Sequence, residues 1–187
     1  MSIKTLSSRI VYKNRWMTVR EDEIQRADGS LGIYSVVEKA PAALIVPIDG
    51  DHVFLIEQFR YPVGRRFMEF PGGAWELLGA PDPVELARGE LREETGLLAG
   101  RMEHLGQLFY AYGITGQTTD VFRATDLVQG PASREAEEQD LVVKRVSMHH
   151  LEQLIYRGVI QDAATIAAWA LHGMKPRKVL PTPAGTP

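Results

Sequence analysis

Three carboxylates share the short stretch GELREETG, Gly89 to Gly96. On a helix, Glu90, Glu93 and Glu94 stand at i, i+3 and i+4 and occupy one face. Left alone, they repel one another. A hard divalent cation relieves that repulsion. Mg2+ takes oxygen ligands, keeps several waters and reaches phosphate oxygens. The pattern therefore points to a magnesium-bound phosphate. A solvated acidic face has the same spelling, with Arg88 and Arg92 as local cations. Two neighbours bear on the choice. Gly72-Gly73 lies upstream in a loop, where backbone carbonyls can also ligate a metal. Gly89, inside the helix, costs about 1 kcal/mol relative to alanine, so it implies either close packing or relaxed constraint.

The elements that must hold this helix read from local signals. Asp82 caps it, Pro83 fits its first turn, Glu85 completes a capping box and Gly96 stops it. Val84, Ala87 and Leu91 form a neighbouring apolar stripe that anchors it to a sheet. Residues 9–38 read as a small β unit with a turn at ADGS, since Asp-Gly between strand-like runs signals a hairpin. AALIVPI (Ala42 to Ile48) reads as a buried strand and VFLIEQF (Val53 to Phe59) as its return. Further strands are expected at 104–112, 118–124 and 140–146. Helices are expected at 148–157 and 163–171, the second capped by Asp162. Strands around an acidic helix, with helices at the end, suggest a mixed sheet between helical layers. The tail PRKVLPTPAGTP has little to bury and is expected to be mobile.

Composition narrows the chemistry. The 187 residues carry a net charge of −3 and no cysteine. Thiolate metal sites, disulfides and cysteine nucleophiles are thereby excluded. Without a basic footprint, a nucleic-acid polymer is not the expected partner, whereas a free nucleotide needs only a few local cations. The first residues have no long apolar core and no stretch nears the ~20 apolar residues of a membrane span. The expected location is cytoplasmic.

GGAWELLGAPDPVELARGELREETGL resembles the Nudix box, a loop–helix–loop signature, with matches at Gly73, Glu90, Leu91, Glu93, Glu94, Gly96 and Leu97. Three departures stand out. The loop from Gly73 to Glu90 is two residues longer than in the signature. Pro81 falls where the box has its loop glutamate, and Gly89 where it has its arginine. In the family those two absent residues pair with each other, so losing both leaves no buried charge stranded. Glu76 or Arg88 are candidates for a substitute pair.

The resemblance continues outside the box. EQFRYPVGRRFMEFPGG (Glu57 to Gly73), NRWMTVREDEIQRADG and GVIQDAATIAAWAL are similar to ADP-ribose and ADP-sugar pyrophosphatases. It implies an α/β (α+β) fold, a Nudix α/β/α sandwich with a mixed sheet and a small N-terminal β subdomain. The implied division is 1–39 for that subdomain, 40–175 for the hydrolase domain and 176–187 for the tail. The family also implies a homodimer in which the N-terminal subdomains are swapped and both chains build the pocket.

By the same resemblance, Glu90, Glu93, Glu94 and the Gly72 carbonyl hold the metal, Mg2+ or Mn2+. Arg60 contacts phosphates, Glu69 stands beside the metal, and Trp16 stacks on adenine. A tryptophan after a turn also packs well in a core, and both readings of Trp16 stay open. Arg65 and Arg66 are possible helpers. The catalytic base is expected in the acidic loop at Glu137 or Glu138, or at Glu93. ADP-ribose enzymes often carry a proline about fifteen residues past the box. AYGITGQTTD has none, which leaves Tyr110, Tyr112 and Gln117 to face a different sugar or base. Trp75 reads as a lid, a core residue or a dimer contact. The pair His149-His150 opens a helix and reads as surface.

The implied reaction is pyrophosphohydrolysis of a nucleoside diphosphate linked to another moiety, with ADP-ribose giving AMP and ribose 5-phosphate as the favoured example. Two other readings compete. One is a nucleotide-binding regulatory module that has lost turnover. The other is a sanitiser of oxidised triphosphates, disfavoured by the long N-terminal β unit and EQFRY.

Overall fold

The computed structural model describes residues 3–75, 82–130 and 140–174. Strands β1 (Lys4–Lys13), β2 (Thr18–Gln25) and β3 (Leu31–Glu38) form an antiparallel sheet in that order. The expected turn joins β2 to β3. Gly29 takes φ 82°, and the Asp28 carboxylate accepts from the Ser30 amide at 3.0 Å and its hydroxyl at 2.7 Å. β1 starts five residues before the expected unit. Every residue of it is exposed, so no burial pattern marks it in the sequence.

The second sheet holds β4 (Ala42–Asp49), β5 (His52–Arg60), β6 (Arg65–Glu69), β7 (Gly72–Gly73), β8 (Leu97–Leu108), β9 (Thr119–Gln129) and β10 (Val142–Ser147). β4 and β9 run parallel and the other pairs antiparallel, so the sheet is mixed as expected. β4 alternates between two cores. Ala43 and Ile45 pack with Leu86, Ala87 and Leu91 of helix α1 (Pro83–Thr95). Leu44 and Val46 pack with Leu151 of α2 (Met148–Tyr156) and Ala168 of α3 (Ala163–Gly173). Helices thus cover both faces.

The hairpin of β4 and β5 is paired only at Ile48–Val53 and Asp49–His52. Beyond that the strands part. β5 pairs with β6 and β10, while β4 pairs with β7 and β9. This opening in the middle of a sheet is where the site develops.

The caps are as the sequence indicates. The Asp82 carboxylate accepts from the Val84 and Glu85 amides at 2.9 and 3.2 Å, and Gly96 closes α1 at φ 72°. Asp82→Ala should cost about 1 kcal/mol, measured by denaturant unfolding. Asp162 caps α3 through the Thr165 amide at 2.8 Å.

One strand departs from expectation. β8 begins at Leu97, directly after Gly96, and ends at Leu108 rather than spanning 104–112. Its two internal glycines conceal it. Gly100 lies where a side chain would come within 2.9 Å of the Asp126 Cβ, and the ladder shifts register between His104 and Gly106. Both are reasons for glycine inside a strand. The tail from 175 onward lies outside the described residues.

Candidate active site

The site is built where β7 meets α1. Gly72 and Gly73 pair with Leu44 and Ala43 of β4. A Cβ on Gly72 would lie 2.3 Å from the Ala43 carbonyl oxygen, and one on Gly73 would lie 2.7 Å from Glu90 Oε2. Only glycine admits the approach of backbone to backbone at position 72, and at position 73 a side chain would have to push the Glu90 carboxylate aside. The Gly72 amide donates to Glu94 Oε2 at 2.7 Å.

Glu90 and Glu94 are 5% and 2% exposed, so a solvated acidic face is not what they form. Glu93, one turn from Glu90, is half-buried. Among the described residues, no three acidic or histidine side chains converge on one ion-sized point. Two carboxylates on consecutive turns, beside a glycine backbone that a side chain would block, suit an ion that keeps waters and shares its remaining positions with phosphate. The donors present therefore fit a hard divalent cation.

Arg60 and Glu69 form a single unit. The guanidinium donates from Nε to Oε1 at 2.8 Å and from Nη2 to Oε2 at 2.7 Å. Burial works against the Arg60 charge, but Glu69, then Glu94 and Asp162, more than restore it. For Glu69, burial pushes the carboxyl above its ordinary value and Arg60 offsets only part of that. An acid raised in the folded state stabilises the fold below its unfolded pKa, and that contribution is lost as pH rises through the folded value. Arg60→Ala removes the offset. The melting temperature of that variant should fall more steeply than wild type as pH rises from the ordinary carboxylate range, and adding Glu69→Gln should flatten the curve.

A cavity of about 390 Å³ occupies the opening between the parted strands. Gly72, Gly73 and Ala74 line one side of it, and Arg60, Tyr110, Gln117 and Asp162 contribute polar groups. Glu90 and Glu94 do not line it; they adjoin the glycines that do. Burial lifts the Tyr110 hydroxyl to about 12. The Phe70 amide donates to the buried Thr165 hydroxyl at 2.9 Å, which ties the β6–β7 segment to α3.

The mixed sheet covered on both faces agrees with what comparisons with known proteins find. The NUDIX domain family model matches residues 38–169. This chain is a Nudix hydrolase. The model of the nucleoside diphosphate sugar hydrolase N-terminal domain matches residues 3–37 of this Nudix hydrolase. An ADP-ribose pyrophosphatase of Mycobacterium tuberculosis is 30% identical over 98% of this chain and 89% of its own. Another of Bacillus subtilis is 24% identical over 95% of each chain. A crystal structure of an ADP compounds hydrolase shares the fold, with a TM-score of 0.80 at 23% identity over 92% of each chain. Nudix hydrolases generally need a divalent metal.

The remaining expected residues of this Nudix hydrolase fall as follows. Trp16 is 49% exposed and is not a core residue. The Asn14 side-chain oxygen accepts from the Trp16 and Met17 amides at 2.9 Å, and the Arg15 guanidinium lies 4.3 Å from the ring centre. Lys39 lines both the Trp16 hollow and the main cavity, so the two adjoin. Arg65 donates to Gln161 at 2.5 Å, and Arg66 holds Glu57 and Asp140 at 3.0 and 2.6 Å. His149 and His150 are exposed, as expected. Glu137 and Glu138 lie outside the described residues, as does Glu76. Arg88 donates to the Ala99 carbonyl at 2.7 Å.

Sequence reasoning took Arg60 and Glu69 separately and did not place Asp162 at the pocket. On the β5–β6 ladder Arg60 lies opposite Arg65 and Glu69 opposite Ile56, so the two meet diagonally and their spacing carries no signal of the pair.

Proposed function

We propose that this Nudix hydrolase cleaves ADP-ribose to AMP and ribose 5-phosphate with Mg2+, Mn2+ serving in its place. One observation carries the reading. Glu90 and Glu94 are buried against the diglycine strand that lines the cavity, where a diphosphate and a cation would meet. The names of the two relatives above supply the choice of ADP-ribose.

Glu90, Glu94, Glu93 and the Gly72 carbonyl would hold the metal. Such an ion neutralises the diphosphate and makes water a stronger nucleophile. Arg60 spends Nε–H and one Nη2–H on Glu69, which leaves donors for a phosphate oxygen and fixes the plane of the guanidinium. Glu93, Glu137 or Glu138 would take the proton as the water oxygen bonds to phosphorus. The bridging oxygen then leaves with the second phosphate. Tyr110 and Gln117, which line the cavity, would contact the sugar end. Trp16, with an exposed ring, would stack on adenine.

In this reading residues 1–39 form a dimerising subdomain, 40–175 the catalytic domain and 176–187 a tail. The protein acts in the cytoplasm as a homodimer. Exposed Leu6, Ile10, Leu31 and Ile33 on the N-terminal sheet support the dimer, because a small sheet gains by covering apolar side chains. The test is a panel of ADP-ribose, ADP- and GDP-sugars, NADH, dinucleoside polyphosphates and triphosphates with Mg2+ or Mn2+, with products read by mass. AMP and ribose 5-phosphate are expected. Preferred turnover of a triphosphate, or binding of ADP-ribose without cleavage, would contradict the reading.

A further inference from the structure

Gly89 has a neighbour that accounts for it. The Trp75 indole lies over the helix at that position. A Cβ on Gly89 would come within 2.1 Å of Trp75 Cζ2, 2.8 Å of Cη2 and 3.2 Å of Cε2. The ring also packs against the cluster of Ala43, Ile45, Leu86 and Ala87, and Gly89 is buried beneath it. The indole fills a notch that exists because the helix lacks a side chain there.

The position of this contact gives it a role. As the chain runs from Gly72 to Trp75, its partners on α1 run back toward the helix start. Gly72 meets Glu94, Gly73 meets Glu90, and Trp75 meets Gly89. The first two contacts involve the carboxylates themselves. The third is apolar, and it spans the same gap. We propose that Trp75, seated in the Gly89 notch, is a positioning residue that sets the distance between the diglycine strand and Glu90 and Glu94. It stands where the Nudix box, as matched in the sequence, has an arginine and this chain has Gly89. An apolar plug then does the spacing that a charged pair does in the signature, and it leaves no buried charge to satisfy. The proposal rests on the reading of Glu90 and Glu94 as metal ligands.

The pair is tested in the full chain with Trp75→Ala, Gly89→Ala, the double variant and Trp75→Phe. Three quantities are measured: Mn2+ affinity by calorimetry without substrate, melting temperature, and kcat and KM for ADP-ribose. Both single variants should bind Mn2+ about tenfold more weakly, and kcat should fall more than substrate KM rises. The double variant should bind Mn2+ no more weakly than the worse single variant, because the added methyl no longer meets a ring. Trp75→Phe, which keeps a smaller plug, should fall between wild type and Trp75→Ala and serves if the alanine variants do not fold. Wild-type Mn2+ affinity in a folded Trp75→Ala or Trp75→Phe protein would overturn the positioning role, even with a lowered melting temperature. Additive losses in the double variant would overturn the pairing. Glu94→Gln separates the two layers: if it binds Mn2+ like wild type, the ligand reading falls and the proposal with it.

Discussion

Glu94→Gln is expected to lower metal-dependent turnover by at least about 10²-fold while the protein remains folded. The substitution is isosteric. Its amide oxygen can still accept from the Gly72 amide, now 2.7 Å from Glu94 Oε2, so the strand stays attached to the helix. What disappears is a charge buried to 2% exposure. A neutral amide is cheaper to bury than a carboxylate, which offsets the lost support for the Arg60 charge, so the melting temperature should change little. The cation loses a charged ligand, and even groups that only orient a ligand cost about 10- to 100-fold when removed. Glu85→Gln serves as the contrast. That carboxylate is exposed in the first turn, and its loss should cost a few tenths of a kcal/mol through the helix dipole, with turnover unchanged. The comparison needs kcat/KM at saturating Mg2+ and a thermal melt for each variant.

Gly72→Ala should be the most damaging single methyl near the site. The new carbon would lie 2.3 Å from the Ala43 oxygen and 2.9 Å from the Leu44 Cα. Both are backbone atoms of β4, which has β9 on its other side, so they have nowhere to retreat. β7 must leave β4, and the amide that donates to Glu94 leaves with it. Overpacking of this kind costs about 1–3 kcal/mol, and turnover should fall with the displaced strand. Gly73→Ala differs in kind. Its methyl meets the end of the Glu90 side chain at 2.7 Å, which can turn aside. Its stability loss should be the smaller of the two, and its activity loss should come through Glu90. Urea unfolding and steady-state kinetics on both variants separate the effects.

What the sequence made legible was local. Asp82, Pro83 and Gly96 mark α1 because caps act within one turn. Ala42 to Ile48 reads as a buried strand because both of its faces are apolar, and each face meets its own helical layer. The i, i+3, i+4 glutamates were visible as a cluster. That two of them turn inward depended on their depth in the fold. The parting of β4 from β5 was not legible, because it depends on which strand each later segment joins. The Arg60–Glu69 unit was hidden for a related reason: both residues were recognised, but they meet by a diagonal reach across the β5–β6 ladder, not as ladder partners. Gly89 was legible as an anomaly only. Its cause lies fourteen residues away in Trp75, beyond any helical or strand period.

The central claim is that Glu90, Glu94 and the Gly72 carbonyl share a divalent cation. The direct measurement is the anomalous diffraction of crystals soaked in Mn2+. The account predicts a peak within ligand distance of an oxygen from each of the two glutamates, about the 2.0–2.1 Å of Mg2+, with the Gly72 carbonyl turned toward it. Strong manganese peaks elsewhere on the molecule, with none beside Glu90 and Glu94, would contradict it.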